Sequence, residues 1–453
     1  VKPKLFGSSG IRGLTNKDIT TTLAQRVGAA IASMNRGGQV VVGYDARISG
    51  HMLEMALTSG INACGADVLQ VGLVPTPVTA WMIGETGSDA GVEITASHNP
   101  PQYNGLKVFN REGMSLTIQE QLATEKVLEE AAYDWSQWDA VGSTEEVEAI
   151  EPYIEMLVDN INIDNETMVA ADCFCGATST LAPLAFGEFP LKSNIINAVP
   201  DGTFPAGNPE PSRDSLMRLG RYMKSLGCEV GFGFDGDGDR MMPVGADGSM
   251  VNPDRALAAY AGYVIERNGG GTVVTHVGAS MNVDDMVKEA GGKVIRTPVG
   301  DAFITEAMAK HEAVFGGEPV GAWVFPEYHM CPAGVMGALK VLEALEETGK
   351  SIEEFISAAP EYPLDRVKLG CENEQKHMAM TAIAERYQDA YRNVDTISTV
   401  DGVRLEMENG WALIRPSGTE PLIRITVEGR TREDVEDIMD RGRLLVKKVL
   451  GEL

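Results

Sequence analysis

Apolar positions in the first third of the chain alternate between two periods. Leu23, Val27, Ala30, Ile31 and Met34 recur at helical spacing behind Thr20 to Thr22, which offer N-caps, and Gly37-Gly38 ends the run. Residues 40–42 read as a short buried strand leading into Gly43-Tyr44-Asp45. A second helix is predicted over about 49–63, then a strand over 68–71 and a proline-rich turn at Pro75 and Pro77. A further strand over 91–95 runs into Thr-Ala-Ser-His-Asn-Pro. Strands alternating with helices imply a largely parallel sheet.

The plan recurs. Strands ending at Asp172 and His276 are each followed by a small polar loop and a helical segment, which suggests three α/β units of similar design. The stretch 133–151 is polar and lacks clean periodicity, so a unit boundary is expected there. The last ninety or so residues differ. Asp401-Gly402 and Asn409-Gly410 sit between alternating strands as hairpin signals, 421–427 reads as a strand, and 431–450 is amphipathic. Thr431 and Asp434 resemble a capping box at the start of that helix. The expected architecture is therefore α/β in four parts, over 1–148, 149–245, 246–362 and 363–453. The first three are similar mixed or parallel α/β units and the last is an α+β unit.

Length agrees: at about 150 residues per domain, 453 residues predict roughly three domains and allow four small ones. Acidic residues number 65 against 38 basic, for a net charge of −27. That argues against a nucleic-acid partner and against an anionic membrane surface, but leaves room for a small anion in a locally basic pocket. No apolar run reaches the ~18 residues of a membrane span, and the opening VKPKLFGSSG has no apolar core of a secretory signal. Six cysteines without zinc spacing read as reduced thiols of a cytoplasmic protein.

The strongest chemical signal is GFDGDGDR at 233–240, where Asp235, Asp237 and Asp239 alternate with glycine. Alternate side chains of an extended loop point the same way, so the three carboxylates converge on a hard cation such as Mg²⁺. A dinucleotide fingerprint is formally matched but would set a pyrophosphate against three carboxylates. An EF-hand fails because Arg240 and Ala246 stand where it needs Gly and Glu.

In TASHNP, at 95–100, Ser97 sits beside His98 without the surroundings of a hydrolase serine. Neighbours on an extended chain point apart, so His98 is not an obvious base for Ser97. A phosphorylated Ser97 would add an oxygen ligand to the cation; the alternative is a polar turn. Lys107, just beyond, is either a general acid/base or a surface charge. Arg415-Pro416-Ser417-Gly418-Thr419, with Arg424 on the next strand, looks like an anion cradle. Glu318, among glycines up to Gly321, is either an acceptor for sugar hydroxyls or an exposed turn residue. Arg12 in GSSGIRG suggests an oxyanion contact.

Together TASHNP, DGDGDR and RPSGTEP resemble the α-D-phosphohexomutase superfamily from about residue 5 to 429. LFGSSGIRG and TPVGD at 297–301 lean toward its archaeal-type phosphoglucosamine mutases. The resemblance implies a four-domain fold around a central cleft and an isomerase, a Mg²⁺-dependent intramolecular phosphotransferase. That enzyme would interconvert glucosamine 6- and 1-phosphates through phospho-Ser97 and a hexose 1,6-bisphosphate, which also serves as activator. It implies Ser97, Asp235, Asp237 and Asp239 as the Mg²⁺ site, and Arg12, His98, Lys107 and Arg240 around the transferred group. It gives Glu318 and Gly321 to the sugar, and Arg415, Ser417, Gly418, Thr419 and Arg424 to the idle phosphate. Asp301 would either attract an amino sugar or cap a helix. Departures exist: many relatives carry Ser and His in the loop after Glu318, where this chain has Val320 and Ala322. The expected partner is a small phosphosugar, with the chain a monomer or homodimer. Alternatives are a phosphomannomutase/phosphoglucomutase, a non-catalytic sugar-phosphate sensor, and a phosphatase.

Overall fold

The computed structural model describes residues 3–417 and 420–452. Four sheets follow one another along the chain. The first contains β1 (Ile11–Leu14), β2 (Gln39–Tyr44), β3 (Asp67–Leu73), β4 (Ala90–Ile94), β5 (Tyr103–Asn110) and β6 (Thr144–Glu146) in the order β1-β5-β4-β2-β3-β6. The second, β7 (Met168–Asp172), β8 (Lys192–Ile196), β9 (Val230–Phe234) and β10 (Met241–Gly245), is ordered β10-β9-β7-β8. The third, β11 (Thr272–His276), β12 (Lys293–Thr297), β13 (Phe315–Gly317) and β14 (Trp323–Val324), is ordered β12-β11-β13-β14.

These three share one plan. Neighbours around β2, β7 and β11 pair parallel. One strand then returns antiparallel beside the last parallel one: β5 on β4, β10 on β9, β14 on β13. Each return loop therefore leaves the carboxyl end of a parallel strand, the end where open α/β sheets bind ligands. The three loops carry Ser97, the aspartates 235–239, and Glu318.

The last sheet is antiparallel throughout: β15 (Leu364–Gly370), β16 (Thr396–Ser398), β17 (Val403–Met407), β18 (Gly410–Pro416) and β19 (Leu422–Gly429), ordered β15-β19-β18-β17-β16. The terminal helix Arg432–Glu452 covers it. Its capping box forms: the Thr431 N–H donates to Asp434 Oδ2 at 3.0 Å and the Asp434 N–H to Thr431 Oγ1 at 3.2 Å. At the front of the chain, Thr20 Oγ1 accepts from Leu23 N–H and starts the helix Thr21–Met34.

One local expectation is corrected. The prolines after β3 do not make a free turn. Pro75 is the N-cap of the helix Thr76–Thr86 and Pro77 lies in its first turn, where a missing N–H costs nothing. The aperiodic stretch 133–151 includes β6, which pairs parallel with β3. All three of its residues are exposed at the sheet edge, so no apolar alternation marks it.

One apolar cluster runs from Val41 on β2 through Phe232 on β9 to Phe315 on β13 and ties the first three units together. The fourth has its own core, including Leu405, Ile414, Ile425 and Val446. It meets the rest across a small seam of Val277, Trp411 and Leu413. There Arg404 stacks 4.2 Å from the Trp411 ring and donates to the Val277 carbonyl at 2.6 Å. The Trp411 indole N–H donates to Glu428 at 2.7 Å, and Glu428 also accepts from the Met281 N–H. All six cysteines are free and buried. Among the described residues, no helix is long and apolar enough to cross a membrane.

Trp411→Ala is expected to lower unfolding free energy by about 3–5 kcal/mol, since it opens a cavity and strips a partner from buried Glu428. Urea denaturation would read this, with Trp411→Phe losing clearly less.

Candidate active site

The serine loop is built on a buried ion pair. Asp45 follows β2, and Arg47 Nε lies 2.9 Å from its Oδ2, both side chains fully buried. Arg47 then donates to four carbonyls of the next loop: Ser97 at 2.6 Å, Asn99 and Pro100 at 2.7 Å, and Tyr103 at 3.0 Å. Asp45 also accepts from Thr95 Oγ1, which in turn accepts from the Ser97 N–H at 2.8 Å. Burial pushes the Asp45 carboxyl up to about 6 even with Arg47 beside it. Held this way, Ser97 adopts φ +50°, in the left-handed region. The extended-chain expectation for Ser97 and His98 is therefore corrected. Ser97 Oγ and His98 Nδ1 lie 3.1 Å apart because the backbone between them is bent.

The aspartates converge as expected, but not through an extended loop. The chain bends at each of 236–239, and Gly238 has φ +74°. One ligand oxygen from each of Asp235, Asp237 and Asp239 lies within 4.8 Å of the others, and all three residues are buried. Ser97 Oγ donates to Asp235 Oδ2 at 2.8 Å, and Thr76 Oγ1 to Asp237 Oδ2 at 2.7 Å. A Cβ on Gly236 would sit 2.5 Å from the Ser97 carbonyl, so only glycine lets the two loops dock.

Charge explains the remaining neighbours. Lys107 on β5 donates to Asp239 at 2.6 Å and lies 3.5 Å from Asp301. Burial opposes its charge, but Asp239 and Asp301 outweigh burial and hold the ammonium well above its usual range. Burial likewise works against Asp239, yet Lys107 and Arg240 keep it below the usual carboxylate range. Asp235 goes the other way, raised well above it by burial and then by Asp237 and Asp239. Asp237 Oδ1 and Asp239 Oδ1 are buried without a hydrogen-bond donor. Converging buried carboxylates, with orphaned oxygens and one raised acid, are the donor set of a hard divalent cation.

Two guanidiniums reach the same place. Arg12 on β1 and Arg240 both keep a buried Nε without a partner. Arg240 Nε is 3.7 Å from Asp239. After burial, the charges of Arg240 and Arg12 lower His98 and so disfavour its charged form. Unpaired arginine donors around a serine hydroxyl suit a phosphoryl group.

The third loop brings Glu318, which is buried and accepts from the Gly300 N–H at 3.1 Å. Burial and then Asp301 push its carboxyl up to about 7. Gly321 has φ +85°; its N–H donates to the Glu318 carbonyl and its own carbonyl accepts from the Met241 N–H. A Cβ there would meet the Met241 carbonyl at 1.8 Å, so this glycine seats the loop on β10. Asp301 is the first residue of the helix Asp301–His311, whose N-cap is Gly300. Its carboxylate accepts from Ser9 Oγ at 2.8 Å and Ser115 Oγ at 3.1 Å and faces Lys107, so it is already engaged.

In the fourth unit Arg415 and Arg424 are cross-strand partners on β18 and β19. Like charges opposite each other are unfavourable, and each is offset: Arg415 by Asp401 at 2.7 Å, Arg424 by Glu420 at 2.8 Å. Ser417 Oγ accepts from the Glu420 N–H. Gly418 and Thr419 lie outside the described residues. Among the described residues, no hydrogen bond or ion pair joins this turn to Ser97, Lys107 or the aspartates; Asp401 links it to the Val299 N–H at 3.3 Å.

Sequence reasoning missed Arg47, Thr76 and Lys376. Lys376 donates to the carbonyls of Ser417 and Glu420, both at 2.6 Å, and braces the arginine turn. Asp45 and Arg47 directly follow a buried strand, a signal that could have marked them. Nothing local marks Thr76 or Lys376.

Four domain families match in order. Phosphoglucomutase/phosphomannomutase alpha/beta/alpha domains I, II and III cover residues 3–134, 151–248 and 252–362, and the C-terminal domain covers 367–444. A probable phosphoglucosamine mutase of Pyrococcus abyssi is 40% identical over 447 residues, covering 99% of this chain and 98% of its own. One from Methanothermobacter thermautotrophicus is 39% identical, covering 99% of both chains. The crystal structure of a phosphoglucomutase/phosphomannomutase family protein from Burkholderia thailandensis superposes with a TM-score of 0.88 at 28% identity, over 98% of this chain and 97% of that one.

Burial, then Asp237 and Asp239, raise Asp235 above the usual carboxylate range, so a cation competes there with protons. Apparent Mg²⁺ affinity is therefore expected to rise with pH across the range in which Asp235 titrates, with proton release seen by calorimetry in buffers of different ionisation heat. Asp237→Asn should weaken binding by about tenfold or more.

Proposed function

The chain belongs to the phosphoglucomutase/phosphomannomutase family, and from that premise we propose that it interconverts glucosamine 6-phosphate and glucosamine 1-phosphate. The observation that carries the chemistry is the setting of Ser97. Its hydroxyl lies 2.8 Å from Asp235 and 3.1 Å from His98, whose charged form burial and then Arg240 disfavour, with Arg12 and Arg240, each keeping an Nε free of hydrogen bonds, close by. The amino sugar rests on the full-length relatives, which are named probable phosphoglucosamine mutases.

In the first half-reaction the bond from phosphorus to Ser97 Oγ breaks and a bond to the sugar's O1 forms. The proton of the O1 hydroxyl ends on Ser97 Oγ. His98 Nδ1 is close enough to hand it over. The resulting 1,6-bisphosphate turns round in the cleft, and the same exchange in reverse, at O6, returns a phosphoryl group to Ser97 and frees the 1-phosphate. Lys107 acts as a standing positive charge while Asp239 and Asp301 hold it protonated. Arg12 and Arg240 receive the equatorial oxygens of the transferred group. Asp235, Asp237 and Asp239, with the Ser97 phosphate, would hold Mg²⁺, which when bound compensates charge on that group. Glu318 orients the sugar, with Gly321 seating its loop. Arg415, Ser417 and Arg424, with Gly418 and Thr419 between them, grip the idle phosphate. Asp301 serves the site by holding Lys107. The free thiols fit a reducing compartment, and we place the enzyme in the cytoplasm.

³¹P NMR with Mg²⁺ and a catalytic trace of hexose 1,6-bisphosphate tests this. Glucosamine 6-phosphate is expected to convert faster than the mannose or glucose 6-phosphates, and Ser97→Ala to lose turnover by at least about 10⁴-fold. Faster mannose or glucose conversion would overturn the amino-sugar assignment. Undiminished turnover by Ser97→Ala would overturn the mechanism, and release of inorganic phosphate would mark a phosphatase.

A further inference from the structure

His276 ends β11 and has no part in the scheme above. Its Nδ1 accepts from the Gly278 N–H at 2.9 Å. In the neutral ring that bond leaves the proton on Nε2. Nε2 faces Glu318 Oε1 at 4.0 Å, too far for a hydrogen bond, and has no nearer hydrogen-bond partner among the described residues. The contact is not an ion pair. Burial, followed by the charges of Arg296 and Arg415, pushes the imidazole down to about 3. A neutral donor and a carboxyl acceptor thus stand side by side with a gap between them.

The size of the gap limits what fills it. One oxygen about 2.8 Å from each group spans 4.0 Å, and it must accept from Nε2–H while donating to Glu318. A hydroxyl does both; a protonated amine donates but cannot accept. The loop itself supplies no side-chain donor, since Pro319, Val320 and Gly321 follow Glu318. The position is also right. Val277, next in the chain, packs on Leu413 in the seam with the fourth unit, two residues before Arg415. His276 therefore lies between the sugar loop and the arginine turn.

We propose that His276 is a sugar-contacting, specificity-determining residue whose Nε2–H donates to a ring hydroxyl of the bound hexosamine phosphate, the same hydroxyl that donates to Glu318. The ligand's identity rests on the mutase reading, so binding and turnover are measured separately.

His276→Asn keeps an acceptor where Nδ1 meets the Gly278 N–H but has no donor at the Nε2 position. His276→Gln keeps a donor near Nε2 and loses that acceptor. Calorimetry with glucosamine 6-phosphate and Mg²⁺ should show Kd about 5- to 10-fold higher in His276→Asn, with His276→Gln recovering most of the loss. The change should fall on KM far more than on kcat. Combining His276→Asn with Glu318→Gln should cost less than the two single effects added together, because both act on one hydroxyl. Melting temperatures of the variants report the Gly278 turn separately. Equal Kd in wild type and His276→Asn, or Gln worse than Asn, would overturn the proposal. If the wild type binds the sugar phosphate without forming 1-phosphate, the mutase reading falls while the Kd comparison still decides His276. If it does not bind, both fall.

Discussion

Three buried carboxylates within 4.8 Å of one another are the constraint around which the rest of the site is arranged. Left alone, such a cluster would be protonated or pushed apart. Here it is compensated from three directions. Lys107 comes from β5 of the first sheet, Arg240 from the aspartate loop's own end, and Arg12 from β1. The compensation is uneven: Asp239 is held charged and Asp235 is raised. That asymmetry leaves Asp237 Oδ1 and Asp239 Oδ1 without a hydrogen-bond donor, while Arg12 and Arg240 each keep an Nε without an acceptor. The proposed cation and phosphoryl group would answer the two needs together.

Bringing charges from separate sheets demands a stiff joint between the first two units. Arg47 provides much of it. From the interior of the first unit it fixes four carbonyls of the serine loop, and its guanidinium lies 5.1 Å from the Phe204 ring of the second. Thr76 grips Asp237 through both side chain and backbone, and Gly236 admits the Ser97 carbonyl. The shared apolar cluster extends the joint into the third unit. The arginine turn follows a different logic. It sits on a unit with its own core, joined through a seam of three buried apolar residues, a stacked Arg404 and a few hydrogen bonds. A turn on a separately cored unit can reposition without disturbing the groups around Ser97.

Much of this was readable along the chain because its causes are local. The period-2 and period-3.6 runs mark βαβ units, Asn-Gly and Asp-Gly mark the hairpins of the last unit, and Asp-Gly alternation marks a cation loop. Each rests on backbone geometry that a few neighbouring residues determine. The same local logic erred where a bend replaced an extended chain. Ser97 at φ +50° turns its hydroxyl to His98, and the aspartates converge through a turn and not by alternation.

The sequence by itself determined the fold class, the order of the four units and which motifs supply the candidate site, since periodicity and motif chemistry are properties of contiguous residues. Only the tertiary structure decided which groups are free to act. Asp301 is spent on Ser9, Ser115 and Lys107, and Gly321 is spent on β10. Arg47 controls a loop fifty residues away, and His276 stands beside Glu318. Charge compensation and hydrogen-bond satisfaction act through space in a low-dielectric interior, between residues whose separation along the chain carries no signal of their contact.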